Sequence, residues 1–175
     1  EDIDISKFNE LGEVIVYAES TKQQVLERLK DVNPDAVIVN KIVMGKEEMY
    51  TASNLKIILE AATGYNNIDI ECAKALNIRV ANVAGYSTMS VVQHTFAHLF
   101  YLYEKMRYYD DYVKSGDYSN STIFTNFGNV FNELAGKTWG IVGLGNIGRR
   151  VADVAKAFGC KVVYYSASGN TYDTE

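Results

Sequence analysis

The pattern Gly143-Leu144-Gly145-Asn146-Ile147-Gly148 constrains this chain more than any other feature, because of what flanks it. A short apolar run, Thr138 to Val142, precedes it, and a helical pattern and a second apolar run, Lys161 to Tyr165, follow. A GxGxxG that leaves a strand and opens a helix is the start of a dinucleotide-binding βαβ unit. Each glycine has its own task there. Gly143 permits the tight turn off the strand, Gly145 leaves space for a pyrophosphate, and Gly148 lets the helix lie close to the sheet. Asn146 and Ile147 begin that helix, whose unpaired N–H groups face anionic phosphates. The plain alternative is a glycine-rich turn with no ligand.

About 20 residues further on, NAD-binding units carry an Asp or Glu that accepts from the ribose hydroxyls and repels a 2′-phosphate. This chain has Ser166 there, and the following Ala167-Ser168-Gly169-Asn170 brings no Arg or Lys to pair a phosphate. NAD and NADP both remain open as cofactors.

Composition narrows the partners. The 175 residues are 47% apolar and 22% charged, which suits one large or two small globular domains and argues against disorder. A net charge of −5 with acidic and basic residues interspersed speaks against a nucleic-acid surface. No apolar run reaches the roughly 18 residues of a membrane span, and the acidic start is unlike a signal peptide, so the expectation is a cytoplasmic protein that binds neither nucleic acid nor membrane. Cys72 and Cys160 form no CxxC pair and are expected as buried free thiols.

Apolar runs at Val14 to Tyr17, Ala36 to Val39, Lys56 to Ala62 and Arg79 to Val83 alternate with helical segments. That alternation predicts an α/β fold with parallel sheet. Thr21 is placed to cap the charged helix around Lys22 to Lys30, Asn67 or Asp69 to cap Ile70 to Leu76, and Ser87 or Thr88 to cap the next. From there to about residue 115, Thr95, Leu99, Leu102, Met106, Tyr109 and Val113 recur at steps of three and four, which predicts one long helix bridging two domains. Six tyrosines between Tyr101 and Tyr118 lack the basic neighbours of a base-stacking surface, so residues 101–135 read as an oligomer or interdomain surface. His94 and His98 stand four apart, a metal-ligating spacing, but no carboxylate or thiol shares their face; they read as core or interdomain histidines bonded to backbone, with no metal.

Five blocks carry a resemblance: Leu55 to Asp69, Ala81 to Thr88, Gln93 to Ala97, Glu133 to Lys137, and Gly143 to Gly148. In order and spacing they resemble the D-isomer-specific 2-hydroxyacid dehydrogenases. The likeness runs from about Leu11 to Gly169 and looks closest to bacterial glycerate dehydrogenases, also called hydroxypyruvate reductases, around Tyr86 to Phe96 and Tyr164 to Ser166. It implies a flavodoxin-like substrate domain, residues 1–87, then a linking helix and the first βαβ of a Rossmann NAD(P)-binding domain, residues 88–175. It also implies that Thr63 and Gly64 offer backbone N–H groups to a substrate carboxylate, that Tyr86 and Lys41 face the same cleft, and that the protein is a homodimer.

The resemblance implies departures too. The family exchanges a proton through a histidine tuned by a glutamate, and binds substrate through an arginine; all three match positions after the second Rossmann strand, so no catalytic residue is assigned here. The family also begins with a strand before the helix matched by Ile5 to Leu11. In the order 2-1-3-4-5 that strand lies between Val14 to Tyr17 and Ala36 to Val39. The expectation is a chain cut at both ends and inactive by itself, taken from an oxidoreductase of hydroxypyruvate or glyoxylate. Two other readings stand beside it: a non-catalytic, corepressor-like relative that binds dinucleotide, and a Rossmann unit for another adenine cofactor, which the four upstream blocks disfavour.

Overall fold

The computed structural model describes residues 4–166 and 169, so the readings made on Glu1 to Ile3 and on Ala167, Ser168 and Asn170 lie outside the described residues. The chain divides into two compact units, Glu1–Ala84 and Gly85–Glu175.

The first unit is built on a parallel sheet, β1 (Ala36–Val39), β2 (Ile57–Glu60) and β3 (Arg79–Asn82), in that order, with Ala36 opposite Ile57 and Ile57 opposite Arg79. Helix α1 (Lys22–Val32) precedes β1, while α2 (Lys46–Thr51) and α3 (Ile70–Ala75) fill the two connections, as parallel pairing requires a crossover between strands. Thr21 caps α1 in a full capping box with Gln24, and Asp69 caps α3 by accepting from the Cys72 N–H. Leu29, Met44, Met49, Leu55, Ile58, Ile68 and Ile78 make the core, with Ile58 wholly enclosed. Outside it, the Lys22 amine is held above its ordinary range by its hydrogen bond to Glu47 and that carboxylate's charge, which also ties α1 to α2.

Two expectations fail here. The helix expected over Ile5 to Leu11 is a 3₁₀ segment, Ser6–Glu10, with no buried residue. The strand expected over residues 14–17 is absent: the segment is irregular and its Val14, Ile15, Val16 and Tyr17 are exposed. A strand exists only with a ladder partner, and none of the described residues pairs with this run. It is tethered instead by Arg28, whose guanidinium lies 4.0 Å from the centre of the Tyr17 ring and donates to the Glu19 carbonyl at 2.8 Å.

In the second unit β4 (Thr138–Val142) and β5 (Lys161–Tyr165) pair in parallel across α6 (Asn146–Ala157), with Thr138 opposite Lys161 and Val142 opposite Tyr165. Gly148, Val151, Ala152 and Ala155 are the buried positions of α6, one stripe at helical spacing. Against that stripe packs α4 (Thr88–Tyr103) through Val92 and Phe96, the latter stacked on Trp139 at 5.1 Å. Cys72 and Cys160 are both buried and free, as expected.

The long helix is in fact two. α4 ends at Tyr103 and α5 (Met106–Lys114) starts after Lys105, which takes a left-handed φ of 54°. No Gly or Pro marks the break, and the three-four periodicity runs on through it. What lies beyond it sets the bend: the Tyr109 hydroxyl donates to the Asn129 carbonyl at 2.9 Å, docking α5 on the loop that follows. Ser87 occupies the N-cap of α4 but makes no side-chain capping bond. Among the described residues no helix is long and apolar enough to cross a membrane, and no three His, Cys, Asp or Glu are grouped to hold a metal ion.

Candidate functional site

The glycine loop follows β4 directly. Gly143 has a φ of +90°, a conformation that strains any other residue, and its N–H donates to the Tyr165 carbonyl at 2.8 Å. That bond sets the loop beside the end of β5, next to Ser166. Gly148 is tightly enclosed: a Cβ there would stand 2.2 Å from the Gly143 carbonyl oxygen and 3.3 Å from Ile141 Cγ2. Gly145 is the opposite case, extended at φ −78° and ψ −163°, where an added Cβ would meet nothing within 4 Å.

The first helical bond of α6 is from the Arg149 N–H to the Gly145 carbonyl, at 2.9 Å. The amides of Asn146, Ile147 and Gly148 therefore precede any helical acceptor, and no side chain among the described residues caps them. An open backbone, unpaired N–H groups and the positive end of a twelve-residue helix together make a cradle for a pyrophosphate. These residues fit a dinucleotide. Tyr86, 65% exposed, precedes α4 in the same unit, following Gly85 with its φ of +76°.

In the first unit, Thr63 and Gly64 lie in the loop after β2, at the carboxyl ends of the parallel strands. Thr63 is pinned twice: its hydroxyl donates to the Val83 carbonyl at 2.9 Å and its own carbonyl accepts from Asn82 Nδ2 at 2.7 Å. Thr63 and Gly64 are exposed residues, and their backbone N–H groups have no acceptor among the described residues. Unpaired donors at such a strand end suit an anion.

Lys41 belongs to the same end of the sheet. It sits two residues beyond β1 with a left-handed φ of 58°, costly for a residue with a Cβ by about 1 to 2 kcal/mol. The adjacent Asn40 donates to the Ala61 carbonyl at 3.2 Å, and the Ala61 N–H to the Val39 carbonyl at 2.8 Å, so the Lys41 turn and the Thr63 loop are joined. The Lys41 amine makes no ion pair among the described residues. Backbone strain at a strand end beside free donors is where functional residues collect.

Sequence reasoning missed Asn40, Asn82, Asn67 and Glu60, which hold these loops. The one available signal was Glu60, a carboxylate closing the apolar run Ile57-Ile58-Leu59. Reasoning also misplaced the histidines. His94 and His98 are exposed on α4, stacked edge to face at 4.3 Å, and no backbone or carboxylate bond to either is present among the described residues. Their face of the helix is turned from the Val92 and Phe96 core, which the spacing alone does not reveal.

Known proteins converge on one family. The profile of the D-isomer specific 2-hydroxyacid dehydrogenase catalytic domain matches residues 1–172. A hydroxypyruvate reductase of Blautia hydrogenotrophica is 33% identical over 172 residues, which are 97% of this chain and 53% of that protein. A glyoxylate reductase of Thermococcus litoralis is 38% identical over 148 residues, 81% of this chain and 43% of that protein. Among solved structures, an acyclic imino acid reductase in complex with NADPH and D-Arg superposes with a TM-score of 0.81 at 30% identity, covering 97% of this chain and 53% of its own. The D-lactate dehydrogenase of Aquifex aeolicus, complexed with NAD and lactic acid, gives 0.80 at 27% identity over 98% of this chain and 50% of its own. The chain spans about half the length of the curated relatives it matches. With parallel βαβ units, a glycine loop at a helix start and a match along nearly its whole length, the chain belongs to the D-isomer specific 2-hydroxyacid dehydrogenase family.

Proposed function

We propose that this chain supplies the substrate domain, residues 1–87, and the linking helix with the start of the cofactor domain, residues 88–175, of a cytoplasmic NAD(P)H-dependent reductase of small 2-oxo acids. Hydroxypyruvate and glyoxylate are the favoured substrates, in line with the names of relatives that share about a third of its residues. The observation that carries the reading is the pair of loops whose amides at Thr63 and Gly64, and at Asn146 to Gly148, have no acceptor among the described residues, each loop at the carboxyl ends of parallel strands.

In this reading residues 143–148 hold the pyrophosphate on the first turn of α6, and Ser166 meets the adenine ribose. Thr63 and Gly64 take the substrate carboxylate through their N–H groups, and the Lys41 amine adds positive charge beside them. Tyr86 is read as a further substrate-binding residue. The nicotinamide, when bound, supplies the hydride. Neither exposed histidine is paired with a carboxylate among the described residues, so the proton-exchanging group is assigned to a residue other than those described, and the 175 residues alone are expected to be inactive. Exposed Ile123, Phe124 (92%), Phe127 and Val130 form an apolar stretch after α5 that suits a homodimer contact, and the same exposure is what a corepressor-like relative would use.

Steady-state assays of the full-length protein with glyoxylate and hydroxypyruvate, with NADH and with NADPH, test the proposal. Turnover with either acid is expected, and a folded protein inert with both overturns the enzyme reading in favour of the interaction protein. Cofactor choice gives a second expected result. With serine in place of the ribose-binding carboxylate, the wild type should discriminate weakly, and Ser166→Asp should move the NADH to NADPH ratio of kcat/KM towards NADH by about 1 to 3 kcal/mol. An unmoved ratio would mean that another residue sets the preference.

A further inference from the structure

We propose that Glu60 and Asn67 form a clamp that sets the loop carrying Thr63 and Gly64 against the Lys41 turn, and that Glu60 thereby acts as a positioning residue for the bound carboxylate. The proposal rests on the substrate reading above for what the loop binds, but the clamp itself stands on geometry.

Glu60 ends β2 and is only 2% exposed, in a run otherwise made of Ile57, Ile58 and Leu59. A buried carboxyl group is costly unless it is hydrogen-bonded, and an apolar side chain would suit this strand end better. Its partner is Asn67, whose Nδ2 donates to Glu60 Oε2 at 2.7 Å. The same nitrogen donates to the Ile42 carbonyl, also at 2.7 Å, so that both amide protons are used. The Asn67 carbonyl accepts from the Met44 N–H at 2.8 Å, and the Met44 carbonyl from the Asp69 N–H at 2.9 Å.

One amide side chain, three residues past Gly64, thus joins the Glu60 carboxyl group at the end of β2 to the backbone of the turn after Lys41. Glu60 and the Ile42 carbonyl both present acceptors, which selects the donor end of the Asn67 amide for this position. Remove the carboxylate and only the Ile42 carbonyl holds the donor end in place, so the Asn67 amide keeps one bond and loses its tie to the end of β2. Glu60 touches no part of the loop's N–H groups. Its influence on the site runs through Asn67.

The experiment compares Glu60→Leu and Glu60→Gln in the full-length protein, with glyoxylate as substrate and hydrogen exchange as a second readout. Glu60→Leu is expected to raise KM roughly tenfold with little change in kcat, the effect of one lost charge-assisted bond on the loop's placement. Glu60→Gln keeps an acceptor oxygen and should recover most of the KM. The Met44 and Asp69 amides should exchange faster in Glu60→Leu while those of β3 do not. An unchanged KM, or kcat and KM altered together with no rescue by glutamine, overturns the positioning role. If the wild type proves inert with 2-oxo acids, the substrate reading fails, and unchanged exchange at Met44 and Asp69 would then overturn the clamp as well, whereas faster exchange would uphold it. Should Glu60→Leu fail to fold, Asn67→Ser, which removes both donors from a loop position, carries the same comparison.

Discussion

Gly145→Val is expected to abolish binding of NADH and NADPH, weakening it by at least roughly 100-fold, or about 3 kcal/mol, while the protein stays folded. The two halves of this result have separate causes. Gly145 has an extended backbone that a valine can adopt, and a Cβ there meets no protein atom within 4 Å. The fold loses only the difference between glycine and valine at an N-cap, about 1 kcal/mol. Gly145 is the N-cap of α6, next to its uncapped amides, and in the proposed reading a branched side chain there would stand in the way of the pyrophosphate. Calorimetric titration with each cofactor, alongside circular dichroism, reads both halves. Undiminished affinity would reduce residues 143–148 to a turn.

Gly148→Ala, three residues on, should act in the other direction. Here a single methyl group would lie 2.2 Å from the Gly143 carbonyl oxygen, against backbone rather than a side chain that could swing aside. Either α6 moves off β4 or the Gly143 turn opens, and the turn is held by the bond from the Gly143 N–H to the Tyr165 carbonyl. Overpacking of this kind costs about 3 kcal/mol, which for a chain of this size lowers Tm by roughly 6 to 12 °C. Thermal unfolding of the variant is the measurement. A Tm within a degree or two of wild type would show that α6 is less tightly seated than this contact implies.

Those paired outcomes mark how far the site was legible in the residues. The glycine spacing assigned one task to each glycine because those tasks are local: a turn, an approach and a helix contact lie within six residues. The caps at Thr21 and Asp69 were legible for the same reason, since a cap depends on a side chain and an amide three residues apart. Residues 14–17 were misread because a strand is a property of two segments, and the apolar run shows only one of them. The break at Lys105 was invisible because the apolar period continues through a bend that the Tyr109 bond to Asn129 imposes from outside the helix.

What the sequence by itself determined is the set of parallel βαβ crossovers, the glycine loop that opens α6, and the family to which those blocks point. Each of these follows from spacing along the chain, where a few residues decide the backbone's course. Only the tertiary structure decided that both histidines lie outside the core, and that Asn67 bonds both Glu60 at the end of β2 and the Ile42 carbonyl in the turn after Lys41. Those facts depend on the distance between segments far apart in sequence, and that distance is set by the packing of the sheet and its helices as a whole.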